Sequence, residues 1–340
     1  MSNTVHNKPL VSIVMPTYNR AHVLPYAIRS ILRQTYTALE LIIVDDNSTD
    51  NTRDVIESFK DERIRYIRNE SNLKLPKALN KGFSGANGAY LTWTSDDNTY
   101  ANNAIEKMVA SLQTGNCDFV YADYFLFADL DDAGNPMDAR HERLPGRIQL
   151  EKTNHIGACF LYTRKAYEQV GDYDPELFLV EDYDYFIRIT KLFSTCHISE
   201  PLYFFRRHDD ALFCSRYAEV KAADVLVRHK NALLNDTEVV DAVAVLILRN
   251  LDGLKNPLLR SAYRTIHKVS YRLTHVYKRF CSKYMRWRLT KSVMSILDTY
   301  RSGSTTFGQA KEKLQSLMLQ HGRIEYIQPQ FGKSASAAKD

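Results

Sequence analysis

The first 130 residues alternate between short apolar runs and segments with helical periodicity, and this alternation constrains the fold more than any other feature of the sequence. The segments between the runs repeat apolar residues every three or four positions, as an amphipathic helix does. This order predicts an α/β fold with a mostly parallel, Rossmann-like central sheet flanked by helices. The four predicted strands cover residues 10–15, 41–44, 64–67 and 90–93.

Two acidic turns follow two of these predicted strands. Asp45 and Asp46 come directly after the second strand, and Asp96 and Asp97 come shortly after the fourth. Ligands of open parallel sheets bind beyond the carboxyl ends of the strands, so we expect both turns to border one ligand site. Carboxylates suit Mg²⁺ or Mn²⁺, which complete their shells with water and substrate phosphates. The alternative is that each turn is solvated and only caps the following helix, but the recurrence at corresponding strand ends favours a site.

Length and charge divide the chain into two parts. Its 340 residues exceed one ordinary domain of ~150 residues, which indicates two domains. No glycine occurs between Gly171 and Gly253, so long helices can run without interruption in the later part of the chain. We predict a catalytic domain over residues 1–215 and a helical C-terminal region over 216–340. From Asp252 onward there are 17 of the 45 basic and 5 of the 40 acidic residues, a net charge of +12. The preceding part has 28 basic and 35 acidic residues, a net charge of −7, so we expect the two parts to have different partners.

Several protein classes are disfavoured by what the sequence lacks. There is no glycine-rich dinucleotide or P-loop motif, no HExxH and no GxSxG. No apolar run approaches the ~20 residues of a membrane-spanning helix, and no secretory signal pattern is visible, which predicts a cytoplasmic protein. The five cysteines are odd in number and form no CxxC pair. They therefore predict neither a disulfide framework nor a cysteine zinc site.

Residues 9–215 resemble glycosyltransferase family 2, the inverting nucleotide-sugar transferases with a GT-A fold. The C-terminal region lies outside the resemblance. The resemblance implies a GT-A fold, a UDP-sugar donor and a divalent cation, Mn²⁺ or Mg²⁺, as cofactor. The segments that carry it are VSIVMPTYNR (11–20), SILRQTY (30–36), ELIIVDDNSTD (40–50), NKG (80–82), GAYL (88–91), SDDN (95–98) and ED (181–182).

The resemblance implies that the nucleotide base binds beyond the first two strands. Pro16, Thr17 and Tyr18 are expected to line the base pocket, with Tyr18 stacking on the ring. Asp46 is expected to accept a hydrogen bond from the uracil ring nitrogen. Asp45 is expected to support the same turn.

The resemblance also assigns residues to the ribose, the diphosphate and the metal. Asp96 is expected to contact the ribose, and Asp97 to ligate the metal that bridges the phosphates. Lys77, or alternatively Lys74, is expected to reach a phosphate. His208, in a basic turn after a late strand, is a second candidate metal ligand; a plain surface turn is the alternative.

The acidic pair at the start of a late helix matches the position of the family's catalytic base. Asp182 is expected to take the proton of the acceptor hydroxyl, with Glu181 as a supporting acid. Asp184 is a competing candidate for the base. The alternative is that Glu181 and Asp182 have a purely structural role, because acidic side chains favour the first turn of a helix.

The C-terminal region is basic and amphipathic. No acidic residue occurs between Asp252 and Asp298, whereas basic residues are frequent over 255–291. Such a helix with aromatic residues is typical of one lying on an anionic membrane surface. Packing on the catalytic domain or homo-oligomerisation is the alternative, and no motif supports nucleic-acid binding. The predicted apolar stripe is Ile266, Val269, Leu273, Val276, Phe280, Tyr284 and Trp287.

These observations together predict an inverting, metal-dependent hexosyltransferase. It would move a sugar from a UDP-sugar to a saccharide or lipid-linked acceptor in surface-polysaccharide biosynthesis, peripheral on the inner face of the cell membrane. One alternative is a sugar nucleotidyltransferase, but that class would be expected to have a glycine-rich loop where this chain has PTYNR (16–20). The other alternative is a non-catalytic, membrane-recruited scaffold with a degenerate transferase domain. The acidic residues present at all three predicted sites argue against it.

Overall fold

The computed structural model describes residues 8–131, 135–249, 254–269 and 271–326, and it describes the side chains of all of these except 266–277. Within this part of the chain there are two compact units. The first unit comprises residues up to 181 together with 185–208. The second comprises residues 182–184 and those from 209 onward.

The first unit is built on a mixed sheet, which has nine strands in the described part of the chain. The strands are β1 (Val11–Thr17), β2 (Leu39–Asp45), β3 (Ile64–Arg68), β4 (Tyr90–Trp93), β5 (Thr99–Tyr100), β6 (Phe119–Phe127), β7 (Arg140–Glu142), β8 (Phe160–Thr163) and β9 (Thr195–Arg206). Their order in the sheet is β3-β2-β1-β4-β8-β6-β9-β5, and β7 pairs with β6. The four predicted strands, β1 to β4, are confirmed, and they pair in parallel with one another.

The helices that lie wholly or mostly in this unit are α1 (Leu24–Leu32), α2 (Thr52–Ser58), α3 (Leu75–Phe83), α4 (Ala104–Thr114), α5 (Arg164–Val170) and α6 (Glu181–Leu192). Helices cover both faces of the sheet, and the side chains of β1 and β2 are almost completely buried. One face packs on α1 and α4, with Ile43, Ile28 and Met108 in the same core. On the other face α3 approaches so closely that a Cβ on Gly82 would lie 2.4 Å from Cγ1 of Val14, which explains the glycine.

The strand predicted at 156–162 is shorter than expected. β8 begins only at Phe160, because Gly157 adopts a φ of +70°, which an extended strand does not accommodate. β8 then pairs antiparallel with both β4 and β6. It therefore joins the parallel strands to the second half of the sheet.

The cysteine pattern predicted no disulfide framework, but the structure contains a disulfide that the pattern did not indicate. Cys117, which follows α4, is bonded to Cys196 at the start of β9, with a Cα–Cα distance of 6.0 Å. The two residues are 79 positions apart. They meet because β6 pairs with β9 in a register that sets Val120 beside Cys196. Spacing along the chain does not reveal such a pair, since it depends on which strands become neighbours.

The second unit is helical. Side-chain capping boxes begin two of its helices, at Asn235 with Glu238 and at Thr306 with Gln309. Among the described residues, no helix has both the length and the hydropathy required to cross a bilayer. The helices are α7 (Leu212–Ser215), α8 (Tyr217–Lys230), α9 (Asp236–Leu248), α10 (Pro257–Val269), α11 (Tyr271–Arg301) and α12 (Phe307–His321).

The predicted apolar stripe is not the face that α11 buries. Phe280 and Trp287 are 56% and 72% exposed, respectively. The side chains of the first four residues of the predicted stripe lie outside the described residues. The stripe that α11 buries lies on another side of the helix. It consists of Cys281, Met285, Leu289, Val293 and Leu297.

Candidate active site

The loops that follow β1 and β2 are tied to each other by side-chain hydrogen bonds. The amide of Asn19 donates to Oγ of Ser48 (2.9 Å), and Oδ1 of Asn19 accepts from the amide of Thr49 (2.7 Å). Asn19 adopts a φ of +54°, a conformation that asparagine tolerates better than most residues. The ring of Tyr18 is left 46% exposed beside these bonds, available for stacking on a planar ligand.

The carboxylate of Asp46 organises the next loop and retains one accepting position. Its Oδ1 accepts from Nδ2 of Asn69 (2.9 Å) and from the amide of Leu73 (2.8 Å). Its Oδ2 accepts from the amide of Lys74 (2.9 Å), while its own amide donates to the Thr17 carbonyl (2.9 Å). A carboxylate accepts about four hydrogen bonds, so Oδ2 can take one more N–H.

Asp45 is a structural residue of the same turn. It is completely buried, and its two oxygens accept from the amide of Ser48 and from the hydroxyl of Tyr66, both at 2.8 Å. Burial and the hydrogen bond to Asp45 raise the pKa of Tyr66 to about 12. Asp45 therefore holds the turn that precedes and includes Asp46 through these two hydrogen bonds.

Asp96 and Asp97 form an acidic pair beyond β4, the strand adjacent to β1. Burial, together with the neighbouring Asp97 carboxylate, raises the pKa of Asp96 to about 7, and the Thr17 hydroxyl acts in the opposite direction. Two adjacent carboxylates that are costly to ionise together favour a cation or hydrogen-bond donors nearby. The pair has the electrostatic character of a site for a positively charged group.

Sheet pairing brings His208 to Asp97 from 111 residues away. β5 pairs antiparallel with the end of β9, and Oδ1 of Asn98 accepts from the amide of Arg206 (2.7 Å). Two residues later, Nε2 of His208 lies 3.2 Å from Oδ2 of Asp97. The structure thus joins the two predicted metal ligands, and it adds Asn98 as the residue that positions the turn between them.

The donors at this point fit a cation that is shared with a ligand. In the part of the chain that the structure describes, no three or more His, Cys, Asp or Glu side chains are grouped to hold a metal. Asp97 and His208 supply one oxygen and one nitrogen. Mg²⁺ and Mn²⁺ usually take one or two protein carboxylates and complete their shells with water and phosphates. The pair therefore suits a divalent cation held jointly with a diphosphate and does not suit a closed, all-protein metal centre.

The start of α3 is held by the Asp46 carboxylate. Lys74, the residue before the helix, adopts a φ of +71°, which is strained for a non-glycine residue. Its amide hydrogen bond to Asp46 stabilises this conformation. The side chains of Lys74 and Lys77 are both exposed, and the assignment of a phosphate contact to Lys77 stays a prediction.

The first turn of α6 contains three acidic residues in different environments. Glu181 is buried, and its Oε2 accepts from the amide of Leu179 (2.8 Å), which closes the turn before the helix. Oδ1 of Asp182 accepts from the amide of the next residue, Tyr183 (2.7 Å). Asp182 is half-buried, whereas Asp184 is completely buried.

Asp184 is engaged within the second unit. Its Oδ1 accepts from Nζ of Lys230 (3.2 Å) and from Nδ2 of Asn231 (2.9 Å). A buried carboxylate that is committed to an ion pair and an amide is a structural group. These contacts argue against Asp184 as the base and leave Asp182 as the stronger candidate.

We expect Asp184→Ala to lower the free energy of unfolding by about 1–3 kcal/mol, because it leaves the donors of Asn231 and Lys230 without their buried acceptor. Asp298→Ala is the matched control, since Asp298 is exposed and its ion pair with Arg301 is worth little. Urea unfolding followed by circular dichroism measures both variants. Equal stability of the two would contradict a structural role for Asp184.

Asp123 is a buried carboxylate that the sequence did not reveal. It accepts from Nε2 of His141 (2.8 Å), from Nε2 of His197 (2.7 Å) and from the amide of Leu144 (2.9 Å). Burial opposes its ionisation, but these hydrogen bonds outweigh burial and lower the pKa of Asp123. The cluster fastens the segment after β7 onto β6. The two histidines lie 18 and 74 residues from Asp123 in the chain, so no local sequence pattern predicts the cluster.

The chain is similar in sequence to a known family and to several bacterial proteins. A family model described as "Glycosyl transferase family 2" matches residues 12–171. The putative colanic acid biosynthesis glycosyl transferase WcaA of Escherichia coli is 33% identical over 188 residues, which are 54% of this chain and 67% of WcaA. The UDP-Glc:alpha-D-GlcNAc-diphosphoundecaprenol beta-1,3-glucosyltransferase WfgD of E. coli is 36% identical over 115 residues, 34% of this chain and 46% of WfgD. The chain spans about half or less of the length of WfgD and several other curated relatives that it matches.

Solved structures share the fold. S. aureus TarS 1-349 in complex with UDP-GlcNAc superposes with a TM-score of 0.53 at 17% identity, over 86% of this chain and 92% of TarS 1-349. The mannosyltransferase PcManGT from Pyrobaculum calidifontis, in complex with GDP-Man and Mn²⁺, gives a TM-score of 0.54 at 16% identity, over 92% of this chain and 87% of PcManGT. At these identities the likeness concerns the fold alone, and it confirms the predicted GT-A fold.

Proposed function

Because this chain belongs to glycosyltransferase family 2, we propose that it is an inverting, cation-dependent hexosyltransferase that uses a UDP-sugar. The acceptor we propose is a saccharide or a lipid-linked saccharide in polysaccharide biosynthesis. The names of WfgD and WcaA support this acceptor class. The TarS complex with UDP-GlcNAc supports a uridine nucleotide as the donor's carrier.

The observation that carries the proposal is the placement of carboxylates at the ends of neighbouring strands. Asp46 follows β2 and the Asp96–Asp97 pair follows β4, with β1 between these two strands. Strands lie ~4.8 Å apart, so a nucleoside diphosphate can span this edge of the sheet. His208 beside Asp97 supplies a second donor for a cation at the diphosphate end.

Each residue of this edge has a chemical task in donor binding. The Oδ2 lone pair of Asp46 accepts the N3–H of uracil, and the exposed ring of Tyr18 stacks on the base. Pro16 and Thr17 border the base, Asp96 bonds the ribose, and Lys77 or Lys74 contacts a phosphate. Asp97 and His208 would hold the divalent cation, Mn²⁺ or Mg²⁺. When bound, the cation stabilises the charge that grows on the departing diphosphate.

The transfer step is an in-line displacement with inversion. The acceptor hydroxyl oxygen forms a bond to the anomeric carbon while the bond from that carbon to the UDP oxygen breaks, and the electron pair leaves with UDP. Asp182 takes the hydroxyl proton, a general-base contribution of about 10²–10⁴-fold. Glu181, already engaged with the turn before α6, positions this end of the helix.

We further propose that the protein works on the inner face of the cell membrane as a peripheral protein. A lipid-linked acceptor is confined to a membrane, so an enzyme that uses one gains from staying at that surface. The excess of basic residues after Asp252 supports contact with anionic lipid. Homo-oligomerisation through the same region is the competing role.

The experiment that tests the function is incubation of the full chain with a panel of UDP-sugars and Mn²⁺, with released UDP as the readout. We expect slow hydrolysis of the preferred donor and faster UDP release when an acceptor is added. Chelation by EDTA is expected to lower UDP release by at least tenfold, and added Mn²⁺ to restore it. UTP formation that depends on pyrophosphate would instead identify a nucleotidyltransferase. UDP binding without turnover of any donor would identify a scaffold.

A further inference from the structure

Helix α11 has two distinct apolar faces. One face is buried in the second unit and contains Met285, Leu289 and Val293. The other contains Phe280 and Trp287, which are largely exposed. At 3.6 residues per turn the centres of the two faces are roughly 170° apart around the helix, so they lie on nearly opposite sides. Burial within the unit therefore accounts for the first face, whereas most of the surface of Phe280 and Trp287 stays accessible.

The exposed face carries three aromatic residues, Phe280, Tyr284 and Trp287. The rings of Tyr284 and Trp287 are neighbours, with centroids 6.2 Å apart. Phe280 lies one helical turn before Tyr284 on the same side. Tryptophan and tyrosine concentrate where protein meets the headgroup region of a bilayer, because their rings are apolar while their N–H and O–H groups remain solvated.

Basic side chains border this aromatic face. Lys283 and Lys291 lie on the same side of α11 as Trp287, and Arg279 and Arg288 flank it; all four are exposed. The segment between Asp252 and Asp298 contains no acidic residue, so the charge contributed by α11 up to Leu297 is entirely positive. Aromatic residues bordered by cations on one helix face match an anionic lipid surface in both polarity and charge.

We propose that this aromatic–basic face of α11, residues 279–291, docks on an anionic lipid bilayer. The inference rests on the proposed function, since it would keep the enzyme beside a lipid-linked acceptor. The rings of Phe280, Tyr284 and Trp287 enter the headgroup region, and the lysines and arginines contact lipid phosphates. A second copy of the chain is a poorer occupant, because a symmetric interface would set these like charges against each other.

The docking test uses the full chain and co-sedimentation with vesicles of phosphatidylcholine, with or without 30 mol% phosphatidylglycerol. We expect at least tenfold tighter binding to the anionic vesicles, and weaker binding as salt is raised. The double variants F280S/W287S and K283Q/K291Q should each lose about tenfold or more of this affinity. The control K313Q/L319S changes an exposed lysine and leucine of α12 and should keep the wild-type affinity.

Intrinsic fluorescence gives an independent readout, because the chain has only two tryptophans, Trp93 and Trp287. Anionic vesicles should shift the emission of the wild type to shorter wavelength. W287F should retain an aromatic ring for docking but lose this shift. A shift that persists in W287F, or equal vesicle binding by all variants, would overturn the proposal.

The other outcomes are equally decisive. The wild type could instead fail to bind anionic vesicles but form a dimer in light scattering, with the F280S/W287S variant monomeric. In that case the face is an interface between copies, and the proposal fails. If RNA binds while vesicles do not, it is a nucleic-acid surface, and the proposal again fails. Hydrolysis of UDP-sugar in solution should be the same in all the α11 variants. Its absence from the wild type would refute the proposed function without touching the vesicle result.

Discussion

Replacing Asp182 by Asn is expected to lower the rate of sugar transfer by at least 10²-fold while the affinity for UDP stays within about twofold of the wild type. The amide has nearly the shape of the carboxylate but cannot accept the proton of the acceptor hydroxyl. Donor binding depends on other residues and should persist. Transfer is measured as acceptor-dependent product formation, and UDP affinity by calorimetry.

Asp184→Asn is the matched control for this variant. It makes the same chemical change two positions along the same helix, at a carboxylate that bonds Lys230 and Asn231. We expect reduced stability with most of the transfer rate retained. If Asp182→Asn keeps substantial transfer, or if Asp184→Asn loses it while the protein stays folded, the assignment of the base is wrong.

Asp97→Asn is expected to remove the support that Mn²⁺ gives to nucleotide binding. With Mn²⁺ present, UDP affinity should fall by about 10²-fold or more, because the cation loses its anionic protein ligand. Without a divalent cation the variant should bind UDP at least as well as the wild type, since one negative charge next to the diphosphate has been removed. Calorimetric titrations with Mn²⁺ and with EDTA measure both effects.

The ratio of UDP affinity with Mn²⁺ to UDP affinity without a divalent cation is the Mn²⁺ enhancement. A change in this ratio distinguishes a metal ligand from a structural carboxylate. Asp118→Asn is a suitable control, because Asp118 accepts from Thr163 and Lys165 at the start of β6, on the opposite end of the sheet. It should leave the Mn²⁺ enhancement unchanged. An Asp97→Asn variant that weakens UDP binding equally with and without Mn²⁺ would contradict a role in holding the cation. His208→Ala is expected to reduce the enhancement less, because it removes a neutral ligand.

Local patterns predicted β1 to β4 and the acidic turns that come after β2 and β4. β1 and β2 are buried on both faces of the sheet, so most residues along them are apolar. Asp46 directly follows β2 and Asp97 comes shortly after β4, and their location at one edge of the sheet follows from parallel pairing. Gly82 was likewise part of a recognisable segment, and the structure supplies its reason in the close approach of α3 to Val14.

The role of a residue could not be predicted from the sequence where it depends on contacts with residues distant in the chain. Asp184 has the same residue type and local setting as Asp182, and only its contacts with Lys230 and Asn231 separate the two. On α11 the aromatic residues have helical spacing, but so do Cys281, Met285 and Leu289. Periodicity states that a helix has an apolar face. It does not decide which of two such faces is buried.

The sequence alone determined the strand–helix order, the family and the acidic residues beyond β2 and β4, because these follow from periodicity within a few residues and from motifs in fixed order. Tertiary structure decided the pairing of Asp97 with His208, the bond between Cys117 and Cys196, the cluster around Asp123 and the exposed face of α11. Each of these requires strands or helices distant in the chain to become neighbours. Such neighbours are selected by the burial and hydrogen bonding of the whole fold, which leave no periodic trace in any one segment.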